Sequence, residues 1–509
     1  MTGNLSTYKS ENRGSILGFF LLFALAIFEF ITAGFNAFAI VCCLPLVVLL
    51  IYLAFGYQMM IFWALIFINY FVQFFGKQQL LPRGIPISLY NEMLEILLLG
   101  IAILDARKSP HFERTFNLML VTLLCWCTFC TLEVLNDTCN LGIDVGGWYG
   151  GARMMAFQLL YAFLVFTLYI TNPERLTKYL YIWAALELFT VFWTWKQIYI
   201  GLNPVESSWL WNVGKTTHLL NGGTLIRYWS THNDAANYGI NAAAAAVVFF
   251  VVAITTRIKF DRFFFGITGI LVVWGMFQSG TRTAIFCLIL GFIVFLVLSR
   301  SVKIIVPFSI LGGFMLILLM FTNIGNGNQQ IRRMRSAFDK KDASSNVRTI
   351  NQEAIRKYIA DAPWGLGLAA GYDNVPANNK YKKLSTIPPD SEYVYIWVHT
   401  GKIGITVFLI LTAIMFLGAC WVVFVRIKNR SLMGVGAGLC GAFAAIQLGG
   451  YGNQVLMQFP NCLMFYGGLA IVYVLPYIQD EWTQYEAERL AKQDERKRLR
   501  LEKKLASRV

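Results

Sequence analysis

Charge is what this sequence has least of. Asp, Glu, Lys and Arg make up 14% of its 509 residues, where a soluble chain carries roughly a quarter. With 57% hydrophobic residues and a mean hydropathy of +0.56, that shortage excludes the row of soluble domains that the length alone would suggest. Cysteine spacing of the metal-site kind is absent, and the ten cysteines form no disulfide framework. All but Cys139 sit within or at the edge of apolar runs, as small buried hydrophobes do. The first apolar run, 15–34, follows Lys9 and Arg13 and lacks a small-x-small cleavage site, so it reads as an uncleaved span. No internal repeat of about 20–50 residues is visible. No nucleic-acid module accompanies the formal net charge of +15, which leaves a membrane surface as its counterpart.

What the sequence does have is a succession of apolar runs of about 20 residues, the length that crosses a hydrocarbon core as a helix. They fall at 15–34, 37–55, 58–76, 89–105, 117–134, 154–171, 179–200, 236–256, 264–279, 284–300, 303–324, 402–425, 434–451 and 457–476. The expected fold is therefore all-α, a polytopic transmembrane helical bundle of about 12–14 spans with one large extracytoplasmic loop region. The expected organisation is a cytoplasmic N-terminus (1–14), a first bundle part (15–324), the loop with an amphipathic helix (325–401), a last bundle part (402–476) and a basic cytoplasmic tail (477–509).

Orientation follows from charge. Arg107, Lys108 and Arg114 share one side with Arg175 and Lys178, with Arg257, Lys259 and Arg262, and with Arg300 and Lys303. Arg426, Lys428, Arg430 and the tail fall there too, and the positive-inside rule makes that side cytoplasmic. The tail from Gln479 alternates acids and bases, as a solvated helix beside anionic lipid would. The long connections 135–153, 201–235 and 325–401 lie opposite. Residues 346–361 of the last predict a helix ended by Pro363, with Val347, Ile350, Ala354 and Tyr358 on one stripe and Arg348, Gln352 and Arg356 on another.

The anomaly is positive charge on the outer side. Residues 325–395 hold eleven Lys and Arg against seven Asp and Glu. This is either a soluble surface or an anion-binding mouth, since guanidinium groups recognise phosphates bidentately. Arg282 in "FQSGTRTAIF" stands between two apolar runs with only small and hydroxyl residues near it, so it needs a partner or an anion. Arg227 in "LIRYWSTHNDAANYG" poses the same question, and His232 there is either a structural histidine or a general base. The stretch "APWGLGLAAG" offers Gly365 and Gly367 in a tight turn without the Walker spacing. In "PPDSEYVYIWVHTGKIG", Asp390 is either a helix N-cap or a carboxylate working at the membrane surface. Glu392, Tyr395 and His399 share a helical face there.

In order along the chain, "RYWSTHNDAANYG", "SGTRTA", "VRTINQEAIRKYIADAPWGLG" and "DSEYVYIWVHTGKIG" resemble the bacterial O-antigen ligase/polymerase superfamily over roughly Gly222 to Gly404. The resemblance implies a metal-independent glycosyltransferase of O-antigen or surface polysaccharide, without a cofactor. It would take a glycan from undecaprenyl pyrophosphate to a glycan, lipid A core or protein acceptor, at the periplasmic face of the bacterial inner membrane. It implies that Arg227, Arg282 and Arg348 bind the pyrophosphate, that Arg356, Gly365, Gly367 and Tyr393 line the substrate loop, and that no metal is held. Where the family shows His in a His-Asn-x-Tyr motif, this chain has Asp390, so the family's base does not carry over directly, and Asp390 is the first candidate, with Glu392 and His232 behind it. That departure tilts the reading from ligase towards polymerase. A protein O-oligosaccharyltransferase and a lipid-linked oligosaccharide flippase are the alternatives. No repeat, and arginines at one face instead of midplane, favour the enzyme.

Overall fold

The computed structural model describes residues 55–81, 86–105, 111–300, 329–335, 343–371 and 374–506, apart from 221, 222 and 224, with isolated positions among 21–28 and 306–327. The spans read at 15–34, 37–55 and 303–324, and Asp339, Lys340, Lys341, Asp342 and Asp373, lie outside the described residues or nearly so. The chain divides into two units, residues 1–63 and 64–509. All that follows concerns the second, apart from the opening turns of α1.

The protein is all-α and polytopic. Among the described residues, eight helices are long and apolar enough to cross a membrane. They are α1 (Gln58–Lys77), α3 (Leu118–Leu135), α4 (Val145–Tyr169), α9 (Ala235–Thr255), α10 (Lys259–Gln278), α15 (Glu392–Arg426), α16 (Arg430–Gly452) and α17 (Asn461–Ala506), which is apolar only in its first part. Helices α2 (Ser88–Leu104), α6 (Pro173–Tyr199) and α11 (Thr283–Ser299) match the remaining apolar runs. Short helices α7 (Pro204–Asn212) and α8 (Lys215–His218), and a strand pair Leu219–Leu220 with Leu225–Ile226, fill the second long connection. Helices α12 (Gln329–Arg335), α13 (Ala343–Tyr358) and α14 (Lys382–Thr386) belong to the third.

Helix starts obey local chemistry. Asn117, Asn172, Asp234 and Asn429 each accept amide protons of the turn they open, satisfying donors that helix geometry leaves unpaired. Helix α9 is buried along almost its whole length and carries alanine and glycine where α10, α11 and α16 press on it. At one crossing Gly291 of α11 faces Gly441 of α16, and a Cβ on either would crowd the other's backbone oxygen. Small residues let helix backbones approach where lipid removes the hydrophobic drive.

The third long connection and its entry into the next helix, 343–398, have their own core. Ile355, Ile359 and Ala362 of α13 and its exit pack with Leu366, Leu384, Val394 and Val398, and Cys139 from the first long connection joins them. This corrects the expected stripe on α13: Ile350 is 63% exposed while Ile355 is fully buried. The helix is rotated because its partners, Leu384 and Val394 among them, meet the 355/359 face. That rotation has a second effect. Arg348 lies seven residues before Ile355, so it shares the inward face with the isoleucines instead of opposing them.

Helix α15 begins at Glu392, ahead of the expected 402, and breaks at Gly401, where φ is +67° and ψ −169°. The Pro363–Gly367 turn seats in that break. The Leu366 and Gly367 amides donate to the Val398 and His399 carbonyls at 2.9 Å, and a Cβ at Gly401 would fall on the Pro363 carbonyl. Gly401→Ala is expected to destabilise the protein by about 3 kcal/mol through backbone strain and this collision. A thermal midpoint in detergent that does not fall would show that the clasp yields freely.

Candidate functional site

The turn between α10 and α11 is the base of the site. Ser279 ends α10 and Gly280, at φ +58°, reverses the chain. The Thr281 hydroxyl donates to the Ala235 carbonyl at 2.8 Å, fastening the turn to the start of α9. A Cβ on Gly239 of α9 would strike the Ser279 hydroxyl, so the helix and the turn must touch. Arg282 is the residue just before α11 and is partly buried.

Arg227 comes from the strand pair and reaches this turn. Its Nε donates to the Ser279 carbonyl (3.2 Å), Nη2 to Thr281 Oγ1 (3.0 Å) and Nη1 to the Thr217 carbonyl (3.0 Å). Burial pushes its pKa below the usual arginine range, Asp234 opposes this, and Arg282 and Arg348 push it further down. Arg282 is lowered likewise, first by burial and then by Arg348. The three arginines singled out in the sequence therefore converge, although they lie on segments far apart in the chain.

A fourth joins them. Arg333 of α12 donates from Nε to the Gly280 carbonyl at 2.7 Å, and burial together with Arg227 and Arg282 pushes it down to about 9. The run "RRMR" shows that charge is present but not which guanidinium turns inward. Cations that depress one another in a partly buried place form a receptor for a multiply charged anion.

Asp390 is tied to the helix that carries Arg348. It accepts a hydrogen bond from Asn351 Nδ2 at 2.9 Å, and Asn351 is one helical turn from Arg348 on α13. The residue in the N-cap position of α15 is Ser391, not Asp390, and the Ser391 hydroxyl donates to the Gly450 carbonyl. The capping alternative for Asp390 is thus corrected: the helix opens one residue later, with Ser391 in the cap position.

The other candidates lie elsewhere. Glu392 is buried and accepts from the Leu456 amide at 3.0 Å, anchoring the connection between α16 and α17. His232 is buried with its ring against Tyr238, and burial pushes it down to about 3, so it is neutral. The Tyr393 hydroxyl donates to Gln447 of α16. Arg356 is exposed, two turns along α13 from Arg348. Gly365 and Gly367 serve the clasp at Gly401, and the Gly367 amide is already engaged there.

Two supporting residues were not legible in the sequence. Lys77, which reads as the end of a span, donates to the Asn233 carbonyl and lies 3.5 Å from the Trp209 ring centroid. His218 accepts the Ala235 amide at its Nε2 (3.0 Å), and burial pushes its pKa to about 3. Both hold the segment between Arg227 and α9.

The fold and the cluster define a class: a multi-pass helical membrane protein with a group of partly buried arginines gathered at the turn between two of its helices. Residues 267–409 match the O-antigen ligase family. The match supports the O-antigen ligase/polymerase superfamily and with it a glycosyltransferase-like ligase enzyme. It covers Arg282, Arg333, Arg348 and Asp390 and leaves out Arg227 and His232. A comparison with curated proteins finds no match.

Proposed function

We propose that this protein transfers a glycan from undecaprenyl pyrophosphate to an acceptor hydroxyl at the periplasmic face of a bacterial cytoplasmic membrane, as an O-antigen or surface polysaccharide polymerase. The observation that carries the reading is the convergence of Arg227, Arg282, Arg333 and Arg348 around one turn. A diphosphate relieves the repulsion among them. Asp390 takes the proton of the acceptor hydroxyl as its oxygen attacks the anomeric carbon. The bond from that carbon to the diphosphate oxygen breaks, and the arginines hold the departing diphosphate as its charge grows. They supply the positive charge that a divalent metal would otherwise bring, so the reaction runs without one.

The test is transfer by the purified protein in detergent with an undecaprenyl-pyrophosphate oligosaccharide, EDTA and no nucleotide sugar. Lengthened lipid-linked glycan is the expected product. Transfer only after lipid A core is added would make the protein a ligase, and transfer only to a protein would make it an oligosaccharyltransferase. No transfer to any acceptor would overturn the enzyme reading and turn attention to flipping of the lipid-linked glycan.

A further inference from the structure

The first amide of α9 is paired in an unusual way. Asp234, which opens the helix, takes the Ala236 and Asn237 amides, and helix geometry leaves the first donors unpaired. Ala235 is fully buried, so its N–H needs an acceptor. His218, at the end of α8, supplies one through Nε2 at 3.0 Å. An amide can only donate, so Nε2 carries no proton. Burial, Arg227 and Lys77 all disfavour a charged ring, and a neutral imidazole has a single proton. That proton is therefore on Nδ1, which faces the Thr217 hydroxyl at 2.8 Å. The hydroxyl turns its own proton to the Gly214 carbonyl (3.4 Å) and is free to accept.

The same two residues hold Arg227. The His218 carbonyl accepts the Arg227 amide (2.9 Å), and the Thr217 carbonyl accepts from Nη1 (3.0 Å). On the other side, Nη2 donates to the Thr281 hydroxyl (3.0 Å), which donates to the Ala235 carbonyl (2.8 Å). A closed ring results, running from Arg227 through Thr281, Ala235, His218 and Thr217 back to Arg227. It joins α8, the strand pair, α9 and the α10–α11 turn. Trp209 and Trp229 flank the imidazole at near right angles, with ring centroids 4.9 and 5.5 Å away, so turning it displaces an indole.

The ring governs how the guanidinium is presented. Three of its five N–H donors are taken, by the Ser279 and Thr217 carbonyls and the Thr281 hydroxyl, which leaves one on each Nη. Two donors on neighbouring nitrogens are what a phosphate receives as a bidentate pair.

We propose that His218 is a positioning residue for the anion site: as the Nδ1–H tautomer it closes the ring that fixes the plane of the Arg227 guanidinium and keeps one N–H of each Nη for a phosphate oxygen. This role rests on the diphosphate reading of the arginine cluster.

The experiment is nitrogen NMR of the full-length protein in lipid nanodiscs, with histidine and arginine labelled, followed by binding of undecaprenyl diphosphate. His218, one of four histidines and assigned by its loss in His218→Gln, should show a bare Nε2 and a protonated Nδ1. Glutamine sets an amide oxygen near the Nε2 position and keeps the Ala235 bond, whereas leucine keeps the bulk and loses it. The Arg227 guanidinium signals should hold in His218→Gln and move in His218→Leu. His218→Leu should also bind undecaprenyl diphosphate about 10-fold more weakly, with His218→Gln close to wild type. In an Arg227→Ala background the leucine change should cost nothing further, since its effect passes through that arginine. A proton on Nε2, unmoved Arg227 signals in His218→Leu, or an undiminished loss in the Arg227→Ala background would overturn the role. The tautomer is read in the wild-type protein, so it decides even where a variant does not fold. Wild-type protein that binds no diphosphate would sink the diphosphate reading, while the NMR readouts, which need no ligand, decide the ring separately.

Discussion

Arg282→Ala is expected to lower glycan transfer by about 10³-fold while the protein still inserts and folds. The size follows from what is removed: one pre-positioned donor facing charge that grows in the transition state is worth about two to three orders of magnitude. Folding should survive because burial and the neighbouring Arg348 both disfavour the Arg282 charge. Deleting it relieves that repulsion, so the variant should still fold. Arg282→Lys should rescue little, since a point charge cannot grip two phosphate oxygens as a planar fork does. Arg227 is the poorer test. Its three hydrogen bonds tie the strand pair to the α10–α11 turn, so Arg227→Ala would mix lost chemistry with lost structure. Wild-type transfer by Arg282→Ala would remove the diphosphate role from this arginine.

The second large effect is expected at Asp390, where asparagine and alanine should fail together. Asparagine can still accept the Asn351 hydrogen bond through its side-chain oxygen. It cannot accept a proton. If Asp390 is the base, Asp390→Asn should lose about 10²–10⁴-fold in kcat with little change in KM. If the residue only steadies α13, asparagine should work nearly as well as aspartate and alanine alone should fail. Near-normal turnover by Asp390→Asn would therefore transfer the search for the base to another group.

Much of this was readable beforehand because membrane burial writes itself plainly into sequence. The apolar runs located the helices, and Arg282 was conspicuous because its sequence neighbours carry no charge. The rotation of α13 was not readable. Ile350 and Ile355 are equally apolar, and the choice between them is made by Leu384, Val394 and Cys139, which arrive from other parts of the chain. The same blindness hid Arg333, one of three arginines within four residues whose direction depends on where α12 meets the turn at Gly280. Asp390 and Ser391 were one position ambiguous as caps, and only the chain's path after two prolines separates them. The pairing of Glu92 with Arg153 needed the packing of α2 on α4, which no local pattern announces.

Helix α17 runs without interruption from Asn461 to Ala506, through Pro476. Beyond the bundle it is held by the twin hydrogen bonds from Arg489 to Asp261 at the start of α10. From Pro476 to Ala506 the rise is about 45 Å. A helix so long and so fastened acts as a lever arm instead of a tether. Whatever engages its last turn is kept at a set stand-off from α10, with a heading fixed by the Arg489 clamp, and a torque applied at the far end is delivered to α10, the helix that ends at the arginine-bearing turn.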